Sequence, residues 1–228
     1  MTLESSGKMM NSQAQYQREK CSPREMYLPE EKPAQNKPET AKKETVCLVE
    51  QMIGDSQEAF DRLIEKYYSK ALRIAYLISG NRSDSEDIVQ ETFVICWVNR
   101  KKIREPEYFE TWLYKTLTRE AWRYCKKARR ETSVDEVFGE NEESPVDVMD
   151  EAMRNWEAKE ICRAVKELPV KHRTVIVLYY YNQMSTKEIA GVMNCLEGTV
   201  KSRLYTARNK LKQVLEAEVR AFGKEIPQ

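Results

Sequence analysis

Apolar residues recur at helical spacing through two stretches of the chain and thin out before and between them. From Phe60 onward, Leu63, Ile64, Tyr67, Ala71, Ile74, Ala75 and Ile78 fall on one face of a helical period, which predicts an amphipathic helix. Gly54 and Asp55 open it, and Asp55 and Glu58 have capping-box spacing. Gly80 and Asn81 stop it. Ser83 and Glu86 repeat that spacing and predict a second helix with Ile88, Val89, Phe93 and Trp97 as its apolar side. A third helix is expected after Pro106, with Phe109, Trp112, Leu113 and Leu117 as its buried stripe.

The second periodic stretch begins with Ile161, Ala164, Val165 and Leu168. Pro169 sits where a first helical turn tolerates it, and Val175 to Tyr179 follow. Ser185 and Glu188 form another capping-box pattern, opening a short helix with Ile189, Ala190, Val192 and Met193. A turn at Asn194, Cys195 and Leu196 leads into a long helix carrying Thr199, Val200, Leu204, Ala207, Leu211, Val214 and Leu215. No strand-like alternation stands out. The expected fold class is therefore all-α: two small helical domains joined by an acidic flexible linker, the second a helix-turn-helix domain.

Composition sets the boundaries. Residues 1–45 hold four of the eight prolines and few aliphatics, so they cannot bury enough apolar surface to offset the entropy of ordering, and a disordered extension is expected. A first helical domain spans 46–130, a linker 131–153, the second domain 154–217 and a tail 218–228. The linker holds nine acids and neither Lys nor Arg. A second domain of this size is marginal alone, because small domains bury a smaller fraction of their surface.

The sum of charges misleads. Over 228 residues, 38 Lys and Arg nearly cancel 37 Asp and Glu, a net charge of +1 that argues against nucleic acid when taken by itself. The distribution reverses that inference. From Tyr114 to Arg130 there are seven bases (Lys115, Arg119, Arg123, Lys126, Lys127, Arg129 and Arg130) against Glu120 alone. Just upstream lies Arg100-Lys101-Lys102-Ile103-Arg104, interleaved with Trp97, Tyr108 and Trp112. Basic side chains neutralise phosphates, and aromatic faces stack on unpaired bases. Trp122 lies roughly 80° around the helix from Trp112, a position that borders the core or faces DNA. The last helix carries Lys201, Arg203, Arg208, Lys210 and Lys212 with no acid from Thr199 to Lys212. A short helix, a tight turn and a longer basic helix make a helix-turn-helix whose second member suits the major groove.

The helix beginning near Ser83 has the opposite surface. Asp84, Asp87, Gln90 and Glu91 make one acidic-polar stripe, suited to a protein partner rather than DNA.

Other chemistry is poorly supported. Six cysteines occur without a CxxC pair or zinc-ligand spacing, and the seven glycines form neither GxGxxG nor a Walker A loop. The single His172, between Lys171 and Arg173, reads as a polar helix residue. No enzyme, metal or cofactor is called for. A mean hydropathy of -0.72, no long apolar run and no apolar leader point to a cytosolic chain without membrane insertion.

These residues resemble a bacterial RNA polymerase sigma factor of the extracytoplasmic-function type. Asp87-Ile88-Val89-Gln90-Glu91-Thr92-Phe93 is similar to the part of region 2 that docks on the beta-prime clamp in that family. Phe109-x-x-Trp112-Leu113-Tyr114 with its basic helix resembles the part that recognises and helps melt the minus-ten element. Leu168-Pro169-x-x-x-Arg173, Tyr179 to Tyr181 and Gly198-Thr199-Val200-Lys201-Ser202-Arg203-Leu204 with Ala207-Arg208 resemble region 4, which reads the minus-thirty-five element. The chain departs from the family pattern at Arg119, often Asn, at Asn194, often Gly, and at Leu196, often a Ser cap.

The resemblance implies a promoter-specificity subunit. Asp84, Asp87, Gln90 and Glu91 would bind core RNA polymerase, whose beta-prime clamp and beta subunit are the expected contacts. Arg119, Arg123 and Lys127 would engage the minus-ten region, and Thr199, Lys201, Ser202 and Arg203 the minus-thirty-five region, with Arg208 on phosphate. It also implies passage of the acidic linker through the polymerase channel and control by an anti-sigma factor that masks both domains. The alternative is a stand-alone helix-turn-helix regulator with a ligand-sensing or dimerising N-terminal domain, which leaves the stripe from Asp87 to Phe93 without a task.

Overall fold

The computed structural model of the chain describes residues 39–131 and 156–222, all within one compact unit. The elements are α1 (Glu39–Ile53), α2 (Gln57–Ser79), α3 (Arg82–Val98), two short 3₁₀ turns (Arg100–Lys102 and Pro106–Tyr108), α4 (Phe109–Glu131), α5 (Trp156–Glu167), α6 (Val170–Ile176), a π-helical turn (Val177–Tyr181), α7 (Thr186–Met193) and α8 (Glu197–Phe222). Among the described residues there is no strand. Most of the expected N-terminal extension, all but the first residue of the acidic linker and the end of the C-terminal tail lie outside the described residues.

Helices α1 to α4 pack around one core. Leu63, Ile74, Ile78, Ile88, Leu113 and Leu117 are fully buried, each stabilising the fold by about 1.5–3 kcal/mol. Helix α1 starts at Glu39, inside the stretch expected to be disordered. It earns its order through Leu48, Val49 and Met52, which enter the core, and through Thr45, whose hydroxyl lies 3.3 Å from the Tyr67 phenol. That phenol donates onward to Glu110 Oε1 at 2.7 Å, tying α2 to α4.

Two helix starts differ from expectation. Ser56, not Asp55, caps α2, its hydroxyl accepting from the Ala59 amide at 3.3 Å. Asp55 instead adopts a left-handed backbone (φ 72°) and binds Arg100 Nε at 2.8 Å and Lys101 Nζ at 2.8 Å, closing the loop after α3. Asn81 caps α3 through the Asp84 amide, so Ser83 falls inside the helix. A capping pattern in sequence is met by whichever neighbouring oxygen reaches the amides first. Gly80 ends α2 as expected, at φ 82°, a conformation open to glycine without steric cost.

Helices α5 to α8 form the second group, with Val175, Leu178, Ile189, Val200, Leu204 and Ala207 in its core. Ile161, expected on the apolar side, is largely exposed, and α8 runs past the predicted end to Phe222. The predicted capping box at Ser185 and Glu188 is complete. Asn194 takes the left-handed turn conformation (φ 49°, ψ 55°), which a residue with a short polar side chain tolerates. The two groups touch: α4 packs against α7 and α6, and α2 against α5, α6 and the π turn.

Candidate nucleic-acid interface and acidic docking stripe

On α3, Asp87, Gln90 and Glu91 are exposed and Asp84 is half-buried, while Ile88, Val89, Thr92 and Phe93 point inward. The same outer face continues into Val94 and Val98, 61% and 67% exposed. Sequence reading missed these two valines; their signal was helical spacing, Val94 and Val98 lying three and seven residues beyond Glu91. The stripe is thus acidic at one end and apolar at the other. Tyr124 of α4 borders it: burial raises its phenol pKa, with the Asp87 and Glu91 carboxylates adding to the rise.

Helix α4 is basic along its exposed side, and one buried acid organises it. Glu120, 6% exposed, accepts an ion pair from Arg123 Nε at 2.7 Å and lies 3.6 Å from Arg119 Nε. Arg123 also approaches Glu91 at 3.4 Å, so its fork stands between the acidic stripe and the basic helix. Arg119 and Lys127 are exposed. The loop before α4 presents Lys102, Arg104 and Tyr108 to solvent, with Tyr108 60% exposed. Phe109 and Trp112 stack 6.4 Å apart, Phe109 fully in the core and Trp112 at its edge.

Trp122 is half-buried and packs against the edge of the core, on the side where α4 meets α6. Its indole Nε1 donates to Thr174 Oγ1 of α6 at 2.9 Å, and the Lys171 ammonium lies 2.8 Å from its ring centroid. Burial lowers the Lys171 pKa, and the Arg203 charge lowers it further.

On α8, Val200, Leu204, Ala207 and Leu211 face the core, which turns Lys201, Ser202, Tyr205 and Asn209 outward. Thr199 is half-buried at the first turn. Lys201 pairs with Glu197 at 3.0 Å, and Thr186 of α7 donates to the same carboxylate at 2.7 Å, joining the two helices of the motif. Arg203 is half-buried and turned toward Cys195, its Nη1 3.8 Å from the thiol sulfur. Arg208 Nε donates to the Tyr180 phenol at 2.8 Å, and its guanidinium lies 5.4 Å from the Tyr179 ring centroid. Leu196 sits at the first residue before α8, 79% exposed, its carbonyl accepting from the Thr199 amide. Tyr205, 69% exposed and three residues beyond Ser202, was not singled out from the sequence, since a tyrosine reads equally as core. Among the described residues no cluster of His, Cys, Asp or Glu suits a metal ion, and no helix is long and apolar enough to cross a membrane.

Comparison with known proteins places both halves. Residues 63–131 match the Sigma-70 region 2 family, and residues 158–211 match the Sigma-70 region 4 family. The chain is 32% identical over 184 residues to the ECF RNA polymerase sigma-E factor of Escherichia coli K12, covering 76% of this chain and 95% of the relative. It is 30% identical over 176 residues to the ECF RNA polymerase sigma factor SigW of Bacillus subtilis, covering 73% and 94%. The fold is shared with the sigma factor RpoE in its complex with the anti-sigma factor NepR from Bartonella quintana, at TM-score 0.58 and 24% identity over 69% of this chain and 96% of that one. It is shared also with CnrH in complex with the cytosolic domain of CnrY, at TM-score 0.57 and 24% identity over 76% and 98%. The paired matches disfavour a stand-alone helix-turn-helix regulator, whose N-terminal domain would be of another kind. With region 2 on the acidic stripe and basic helix, and region 4 on the helix-turn-helix, the chain belongs to the extracytoplasmic-function family of RNA polymerase sigma factors, which direct promoter-specific transcription initiation.

Proposed function

We propose that the stripe Asp84, Asp87, Gln90 and Glu91, extended by Val94 and Val98, docks the chain on the beta-prime clamp of core RNA polymerase. The observation that carries this reading is the two-part outer face of α3, acidic and then apolar, beside a basic helix. The apolar end supplies burial and the acidic end supplies orientation and on-rate. Arg119, Arg123 and Lys127 take the minus-ten region, aided by Tyr108 and the basic loop. The buried Glu120 supports this assignment, because it holds Arg123 in place without neutralising the exposed helix.

Lys201 and Ser202 read the minus-thirty-five element, with Tyr205 and Leu196 as apolar contacts suited to a thymine methyl. Thr199 and Arg203 border them, and Arg208, anchored on Tyr180, meets phosphate. The protein acts in the cytoplasm without catalysis of its own, contacts the beta subunit as well as the clamp, and is held by an anti-sigma factor. The division into an N-terminal extension, two helical domains and an acidic linker is part of the same reading.

The test is transcription in vitro. DNA templates from a random-sequence library are selected for run-off transcripts made with this chain and core polymerase. Templates carrying two spaced elements are expected. No initiation above that of core polymerase alone would sink the reading.

A further inference from the structure

The basic run from Arg100 to Arg104 is largely tied down by the protein itself. Arg100 donates through Nε and Nη2 to Asp55 Oδ1 at 2.8 and 2.5 Å, and through Nη1 to the Trp97 carbonyl at 2.7 Å. Its guanidinium also lies 4.0 Å from the Trp97 ring centroid. Lys101 Nζ takes the other carboxylate oxygen, Asp55 Oδ2, at 2.8 Å. Lys102 Nζ donates to Asn99 Oδ1 at 2.8 Å, and Ile103 is buried in the core. Past these anchored residues, Arg104 and Tyr108 face solvent. Helix α1 packs against both 3₁₀ turns that bound the loop, so its path is supported at each end.

Asp55 is the centre of this arrangement. Its backbone is left-handed at φ 72°, although the neighbouring Gly54 could adopt that region without steric cost. A residue with a Cβ persists there where its surroundings fix it, and here two cations from the loop after α3 do so. The Lys101 and Arg100 charges hold its carboxyl below the usual carboxylate range, so the pairing keeps its charge at neutral pH. Ion pairs of this kind are charge-assisted hydrogen bonds, stronger and more directional than neutral ones. The pairing also withdraws two cations from phosphate. Phosphate contacts carry no sequence information, whereas bases are read by groups held in a fixed direction.

We propose that Asp55 is a positioning residue for base recognition. It anchors Arg100 and Lys101 so that Arg104 and Tyr108 are presented in one orientation to unpaired bases of the minus-ten element. It acts through the loop and does not itself touch DNA. The inference rests on the promoter-reading function above.

Two substitutions separate position from stability. Asp55→Gly removes the carboxylate and relieves the left-handed backbone, while Asp55→Asn tolerates that backbone and keeps the shape without the charge. Each is made in the full chain and assembled with core polymerase. Initiation is measured on a template selected with the wild-type chain and on templates with single-base changes in either element. With both variants, preference at one or two minus-ten positions is expected to flatten at least threefold, while preference across the minus-thirty-five element is unchanged. Arg100→Ala should flatten the same positions. Adding it to Asp55→Gly should flatten them no further, because the two residues act as one unit. Wild-type preference in either Asp55 variant, equal flattening across both elements, or additive effects of the two changes would overturn the assignment. A wild-type chain without base preference at either element would instead strike the promoter-reading function.

Discussion

Glu120, nearly inaccessible to solvent, holds Arg123 Nε at 2.7 Å on the exposed side of α4. An acid within a basic helix commonly lowers its affinity for DNA, yet this one is turned inward and fixes the direction of the cation instead. Glu120→Gln keeps the shape and removes the charge. Losing about 1 kcal/mol at this partly screened pair should lower Tm by roughly 2–4 °C. Run-off transcription should fall further than the stability loss explains, because Arg123 is released. Thermal melting and transcription on one preparation check both.

The stripe proposed for docking separates charge from burial. Val94→Asp should weaken capture of core polymerase at least tenfold at moderate salt and keep it weak at high salt, since apolar contact is lost. The double reversal Asp87→Lys with Glu91→Lys should abolish capture at low salt, with helical circular dichroism preserved. Glu91 also lies 3.4 Å from Arg123, so the single Asp87→Lys is the cleaner comparison. Unchanged capture by both variants would remove the stripe's role.

On α8, Ser202→Ala and Tyr205→Ala should relax base preference within the upstream element, each by about 1–3 kcal/mol of discrimination at one position. Lys201→Ala should likewise relax base preference at one position, and, as a lost cation, reduce the salt slope by about 1. Arg208→Ala should instead weaken binding across sequences, reduce the salt slope by about 1 and lower Tm, because it also removes the bond to Tyr180. Holoenzyme binding to template variants at several salt concentrations distinguishes these effects.

His172 gives a pH dependence with a definite sign. Burial lowers its pKa below 6.5, and the Lys210 and Arg203 charges lower it further. Its Nδ1 is buried without a hydrogen-bond partner. As pH falls through 6.5, the unfolded chain takes up a proton that the folded chain refuses, so this stabilising contribution is lost between the unfolded and the lower folded pKa. His172→Gln should therefore show a smaller fall in urea midpoint between about pH 7.5 and pH 5.5 than wild type.

The helices, their stops and the segregated charge were legible in the sequence because each depends on neighbours within one or two turns. Gly80, the Ser185 and Glu188 box and the Asn194 turn are local events, and residue type alone prescribes them. The start of α1 was not legible, since its order comes from Leu48, Val49 and Met52 entering a core built by distant helices. Nor was Asp55, whose capping spacing was real but whose carboxylate is claimed by Arg100, forty-five residues on. Periodicity alone sets Trp122 between core and DNA, because it gives a direction on a helix and not what stands there. The sequence by itself determined which helices exist and what charge each presents. Only the tertiary structure decided that Thr174 and Lys171 meet Trp122, that Arg173 spans both helical groups and that Glu120 turns inward. Those contacts join residues far apart in the chain, and no local pattern specifies which distant surfaces meet.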